Sequence, residues 1–170
     1  MSTEVAVATP LERLASALRA RGAMLTTAES CTGGLVAAAC TSLAGSSEWF
    51  ERGVVTYSNA AKIELLGVAA AVIATHGAVS AEVARAMAEG ALARSPARFA
   101  VAITGIAGPG GGTADKPVGT VWIATAAVGA TAHATLLQAD GDRDAIRRRS
   151  AARALELVAD RVEATPIAAP

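Results

Sequence analysis

The run Thr26-Thr27-Ala28-Glu29-Ser30-Cys31-Thr32-Gly33-Gly34 carries β-prone residues into a serine, and an apolar, helix-forming stretch follows. A strand that hands a hydroxyl to a helix N-terminus sets a nucleophile among free backbone N–H groups. Such an arrangement serves attack on a carbonyl carbon, and equally serves simple anion binding. Ser30 alone reads as an ordinary N-cap. Against that, Thr32 is available as the cap, and Gly33-Gly34 lets a ligand approach the backbone closely. Cys31 is the rival nucleophile, because a thiol beside a helix N-terminus has a lowered pKa. Neighbours in a strand-to-helix turn cannot both face one cavity, and buried cysteine is a common structural residue. Ser30 is therefore favoured.

Lys62 follows a second strand-like run, Val54-Val55-Thr56-Tyr57. With Asn59 as cap it falls at the third helical position, where a cation opposes the macrodipole at a cost of ~0.3–1 kcal/mol. One reading is a solvated lysine. The other is a neutral amine that takes the serine proton. Moving a lysine from ~10.4 to ~7 requires ~4–5 kcal/mol, more than a helix end supplies. Burial would have to provide most of that shift. Tyr57 reads either as core filler or as a hydroxyl that relays a proton or orients a carbonyl oxygen. Glu29 either orients Lys62 or hydrogen-bonds backbone.

A third feature is the loop Gly105-Ile106-Ala107-Gly108-Pro109-Gly110-Gly111-Gly112. It is neither a Walker loop nor a dinucleotide fingerprint. It suits close approach of a phosphate or ribose, or is a flexible surface loop. Arg143 reads as a phosphate partner or a surface charge, and Arg147-Arg148-Arg149 as a solvated face. His76, His133, Cys31 and Cys40 have no metal-ligand spacing, so no metal is expected.

The elements that must position these groups follow from composition and pattern. A chain of 170 residues suits one domain with a real core. Hydrophobic residues make up 52% but aromatics only 3%, so Ala, Val, Leu and Ile must fill that core, as close helix–sheet packing requires. Fifteen basic and fifteen acidic residues balance, which leaves no electrostatic footprint for nucleic acid. The two cysteines, nine residues apart, fall in or beside one predicted helix, which argues against a mutual disulfide, and they suit a reducing compartment. Met1-Ser2-Thr3-Glu4 lacks a signal-peptide layout. Apolar runs such as Leu65–Ala74 fall far short of the ~20 residues a membrane helix needs. The expectation is a soluble cytoplasmic protein without nucleic-acid or membrane partners, whose apolar helices allow a homo-oligomer.

Strands are predicted at Ala23–Ala28, Val54–Tyr57, Phe99–Thr104, Gly119–Ala127 and Thr131–Leu137. Helices are predicted at Pro10–Arg21, Gly34–Leu43, from Ser58 or Asn59 to Leu66, from Ser80 to about Ala93, and at Asp142–Val162. Val68–Ile73 is left without a state, and residues 165–170 read as a frayed tail. The alternation argues for an α/β sandwich on one central sheet, with antiparallel pairing of the late strands.

These residues also carry a resemblance. A-E-S-C-T-G-G at Ala28–Gly34, A-G-S-S-E-W-F at Ala44–Phe50 and G-V-V-T-Y-S-N-A-A-K at Gly53–Lys62 resemble the C-terminal domain of the competence/damage-inducible protein CinA and the stand-alone nicotinamide-nucleotide amidases of that family. So do T-G-I-A-G-P-G-G-G-T at Thr104–Thr113, K-P-V-G-T-V at Lys116–Val121 and G-D-R at Gly141–Arg143. The resemblance spans nearly the whole chain, over a domain of residues 1–164, without the large N-terminal domain of full-length CinA.

The resemblance implies a three-layer α/β/α sandwich with a central mixed sheet, in a single domain. It implies a hydrolase that converts nicotinamide mononucleotide and water into nicotinate mononucleotide and ammonia, in pyridine-nucleotide recycling, without cofactor. Ser30 would be the nucleophile, with Lys62 and Tyr57 handling protons. Substrate would meet Glu29, Cys31, Thr32, Gly33 and Gly34 on one side, where N–H groups hold the oxyanion. Thr104, Gly105, Gly108, Gly110 and Gly111 would line the other, with Lys116 or Arg143 assisting at the phosphate. The alternatives are a non-catalytic nucleotide-binding or regulatory module using the same pocket, and an interaction domain acting through an apolar face.

Overall fold

Successive side chains of a strand point to opposite faces, and the third strand sorts them by size. Phe99, Val101 and Ile103 enter one core, while Ala100 and Ala102 enter another. The computed structural model describes residues 8–166. Strands β1 (Leu25–Glu29), β2 (Phe50–Val55), β3 (Phe99–Gly105), β4 (Thr120–Ala127) and β5 (Ala130–Gln138) form one sheet in the order β2-β1-β3-β4-β5. β1 pairs in parallel with both β2 and β3, and β3-β4-β5 is antiparallel. The helices are α1 (Pro10–Ala20), α2 (Leu35–Ser42), α3 (Asn59–Leu66), α4 (Ala70–His76), α5 (Ala81–Ala93) and α6 (Arg143–Ala164).

The bulky face packs against α1, α2 and α6. Leu14 and Leu18 of α1 and Ile146, Ala154, Val158 and Val162 of α6 are essentially solvent-free there. Each such leucine contributes about 1.5–3 kcal/mol of burial. The alanine face meets α5 through Val83, Ala84, Met87 and Ala88. Small side chains there let the helix sit close, and Gly90 of α5 passes so near Leu66 O that a Cβ would stand 2.0 Å from it. The result is the three-layer α/β/α sandwich with a mixed sheet.

Helix starts follow the sequence chemistry. Thr9 and Glu12 form a capping box at α1, and Ser80 and Asp142 cap α5 and α6. Two readings change. The second strand lies at Phe50–Val55, earlier than predicted, and leaves Tyr57 beyond its end. Its charged Glu51 and Arg52 conceal it in the sequence. They are tolerated because β2 is an edge strand, held by its pairing with β1. The unassigned Val68–Ile73 run yields α4, which buries Ile73. At the C-terminus, Thr165 caps α6, and residues 167–170 of the expected tail lie outside the described residues. No helix among the described residues is long and apolar enough to cross a membrane.

The parallel strands β2, β1 and β3 end at one edge of the sheet. The chain leaves β1 toward β2 and later crosses back to lay β3 on the other side, a topological switch point of the kind that opens a crevice at strand C-termini. Ser30, Thr56-Tyr57 and Thr104-Gly105 follow or end those three strands.

Candidate active site

Ser30 is held in place by the ladder it has just left. Its N–H donates to Ile103 O at 2.9 Å, and Thr56 N–H donates to Glu29 O at 2.8 Å beside it. The chain then turns through Gly33 (φ 58°) and Gly34 (φ 102°), left-handed conformations that a glycine adopts without strain. The glycine pair thus shapes the turn, and neither residue lines the cleft described below.

The N-terminus of α2 is not open. The Glu29 carboxylate accepts from the N–H groups of Gly34 (3.0 Å), Val36 (3.1 Å) and Ala37 (2.9 Å). The expected Thr32 cap is therefore replaced by a carboxylate delivered from the preceding strand, and the N-cap position is Gly34. Glu29 is 1% exposed and faces this helix, not the cleft, so of its two readings the structure shows the backbone one. Thr32, expected to meet substrate, is fully buried and does not line the cleft, and its Oγ1 has no partner. With Gly33 N–H donating to Ser30 O and Leu35 N–H to Thr32 O, the N–H groups of Cys31 and Thr32 are the two in this turn without a partner among the described residues.

Lys62 enters from the neighbouring junction. Ser58, not Asn59, caps α3 through Ala61 N–H, which moves Lys62 one position deeper than the sequence suggests. Its side chain runs inward and is 1% exposed. Lys62 Nζ lies 3.0 Å from Ser30 Oγ, 2.8 Å from Thr56 O and 3.4 Å from Tyr57 O. No carboxylate pairs with it among the described residues. Burial holds its pKa below the ordinary 10.5. A neutral amine matches these partners one for one: two hydrogens for two carbonyl oxygens, and a lone pair for the serine hydroxyl.

Cys31 behaves in the opposite sense to its sequence reading. Burial pushes its thiol up to about 11, so the protonated form prevails at neutral pH. Cys40 is pushed up to about 12 for the same reason.

Tyr57 does not bring its phenol to the amine. The side chain is 60% exposed, and its hydroxyl accepts from Arg143 Nη2 at 2.9 Å. Arg143 also donates to Gly108 O at 2.7 Å, which ties the glycine loop to the tyrosine. A cleft of about 270 Å³ lies between these groups. Ser30, Cys31, Lys62 and Tyr57 line one side, Thr104, Gly105, Gly108, Gly110 and Gly111 another, and Arg143 its rim. Thr104 Oγ1 donates to Ala78 O at 2.8 Å. Lys116 lies away from the cleft and donates to His76 O at 2.8 Å.

Two lining positions have no counterpart in the sequence reading, Ala78 and Val79, while Ile106 and Ala107 belong to the glycine-rich loop read there. The first two carry no reactive group, and only the fold brings them in. Asn59, weighed as a cap, lines the cleft as well. By sequence Arg147 belongs to a solvated face, yet its guanidinium donates to Cys31 O and Thr32 O, each at 3.1 Å. Its one visible signal was a spacing of four from Arg143, which puts both on one helix face. No cluster of three or more potential metal ligands occurs among the described residues.

The chain is similar to known proteins over most of its length. Residues 8–162 match the family model described as the CinA C-terminal domain. The chain is 54% identical over 145 residues to nicotinamide-nucleotide amidohydrolase PncC of Escherichia coli (strain K12), across 85% of this chain and 88% of that protein. Identity to the protein of the same name from Pseudomonas putida is 52% over 150 residues, across 88% and 93% of the two chains. The crystal structure of competence/damage inducible protein CihA from Agrobacterium tumefaciens superposes with a TM-score of 0.84 at 46% identity, covering 96% of this chain and 99% of that one.

Proposed function

The chain belongs to the CinA C-terminal domain family, and we propose that it is a nicotinamide-nucleotide amidase in which Ser30 and Lys62 form the reacting pair. It hydrolyses the carboxamide of nicotinamide mononucleotide to nicotinate mononucleotide and ammonia. One observation carries the assignment of the pair: an amine without a carboxylate partner, sealed from solvent, 3.0 Å from a serine oxygen at the mouth of a cleft. Binding a nucleotide needs a cation in solvent reach, not a buried amine whose charge the fold disfavours. That difference separates the amidase from a binding module.

Ser30 Oγ attacks the carboxamide carbon while its proton passes to Lys62 Nζ. The carbonyl oxygen becomes an alkoxide, and the unpartnered N–H of Cys31, which lines the cleft, receives it. Such a donor is worth about 2.7–4 kcal/mol. The lysine proton moves to the amide nitrogen, the C–N bond breaks and ammonia leaves an acyl-serine ester. Water then attacks that ester, giving one proton to Lys62, which returns it to Ser30 Oγ as the carboxylic acid departs and releases its own proton to solvent or to the freed ammonia. Lys62 serves both half-reactions, because the Tyr57 phenol is engaged by Arg143. Arg143 and the loop Gly108–Gly111 lie across the cleft, where a phosphate group would anchor and binding energy would align the amide.

The same reading carries a cytoplasmic enzyme. The exposed apolar side chains of Val55, Ile63 and Leu65 support its assembly as a homo-oligomer, which light scattering tests. The decisive experiment is ammonia release from nicotinamide mononucleotide by wild type and Ser30→Ala. Wild type releases ammonia. Ser30→Ala loses at least about a thousandfold in kcat while still binding the nucleotide. Near-normal turnover by Ser30→Ala would put the nucleophile elsewhere.

A further inference from the structure

Arg147 has no part in the chemistry above, yet its guanidinium touches the nucleophile turn. It is half-buried in the first turns of α6 and makes no ion pair among the described residues. Its two hydrogen bonds go to consecutive carbonyls, Nε to Cys31 O and Nη2 to Thr32 O, both 3.1 Å.

A trans peptide points its C=O and its N–H in opposite directions. Holding Cys31 O therefore aims the Thr32 N–H away from the guanidinium. Holding Thr32 O likewise aims the Gly33 N–H, which reaches Ser30 O at 3.0 Å. Ser30 O belongs to the peptide that carries the Cys31 N–H, so that plane is set as well. One planar fork orients three successive peptides. The first carries the unpartnered N–H of Cys31, which lines the cleft directly after the nucleophile.

We infer that Arg147 is a positioning residue for the oxyanion donor, keeping the Cys31 N–H aimed into the cleft while the carbonyl oxygen becomes an alkoxide. This rests on the amidase reading of the cleft. Lysine cannot replace it, because a single ammonium lacks the fixed fork that engages two carbonyls in one plane. Arg143, one turn earlier, holds Gly108 O and the Tyr57 hydroxyl. The first turns of α6 thereby brace both walls of the cleft, but only Arg147 braces the wall where charge develops.

The test compares wild type, Arg147→Lys and Arg147→Ala in ammonia release from nicotinamide mononucleotide. Each is also titrated with a substrate analogue whose carboxamide is replaced by a boronic acid. Ser30 Oγ bonds to its boron, the serine proton passes to Lys62, and an anionic boronate oxygen occupies the position of the alkoxide. A misaimed donor lowers kcat about a hundredfold in Arg147→Ala. KM stays within about threefold, and boronate affinity falls in step with kcat. Arg147→Lys, which keeps the charge, loses at least about tenfold in the same pattern. Should Arg147→Ala not fold, Arg147→Lys and Arg147→Gln carry the comparison. A kcat within about twofold of wild type would overturn the inference, as would a loss confined to KM with boronate affinity intact. A wild-type protein that released no ammonia would instead overturn the amidase reading, and this inference with it.

Discussion

Two strand-to-helix junctions lie side by side at one sheet edge, and they use their helix starts in opposite ways. At β1–α2 a carboxylate from the strand, Glu29, fills the helix N-terminus with three hydrogen bonds. At β2–α3 a serine hydroxyl caps the helix, and the side chain that matters, Lys62, leaves from its fourth position to reach across to Ser30. The first junction is a sealed anchor that presents a hydroxyl. The second is a carrier that buries an amine. The comparison teaches that a helix N-terminus beside a nucleophile need not be the anion site. Here the chain's own anion occupies it, and the free N–H groups lie in the turn before the helix.

Replacing Lys62 by Met breaks the carrier and gives the largest effect. Turnover falls by about 10²–10⁴, with KM little changed, in steady-state ammonia release. A loss seen only in KM would remove Lys62 as the base. The depressed lysine pKa also fixes two pH trends. Activity needs the neutral amine, so the acid limb of the wild-type rate profile lies below the ordinary lysine value of 10.5. For stability, the unfolded chain holds a proton that the folded amine releases. Wild type therefore loses stability relative to Lys62→Met as pH falls from 10.5, and the gap stops widening below the folded pKa. Denaturant titrations of both proteins across that range measure it.

Glu29→Gln breaks the anchor. The amide keeps one acceptor and turns N–H groups toward N–H groups, so unfolding experiments should show a loss of about 2–4 kcal/mol. Turnover falls less than in Lys62→Met, because the carboxylate holds the turn and does not face the cleft. An equal loss of turnover at unchanged stability would mean that Glu29 meets the substrate after all. The smallest effect belongs to Ser58→Ala, which removes the α3 cap and costs about 1 kcal/mol with kcat nearly unchanged.

The two junctions differ in how far the chain disclosed them. Ser30 was legible because a β-prone run, a serine and a helix-forming stretch follow one another within a few residues. Lys62 was legible as an anomaly, a cation in a first helical turn, and the need for burial to lower its pKa could be stated before its surroundings were known. Burial is the leading cause of that shift. Cys31 misled because a helix end lowers a thiol pKa only if that end is unfilled and wet. Here Glu29 fills it and the thiol is buried. Tyr57 misled because the strand it was assigned to ends at Val55, leaving the ring to solvent and Arg143.

The sequence by itself determined the alternation of strands and helices, a mostly aliphatic core with few aromatics, and the serine and lysine at two crossovers. Those are local properties, set by side-chain period, capping chemistry and turn residues. Only the tertiary structure decided which strands lie adjacent, and so which crossovers share an edge. The parallel order β2-β1-β3 brings an amine to a hydroxyl 32 residues earlier. The antiparallel return through β4 and β5 leads the chain to α6, whose Arg147 meets that turn from 115 and 116 residues away. Contacts of such separation are fixed by burying both faces of one sheet at once. No window of the chain contains both partners.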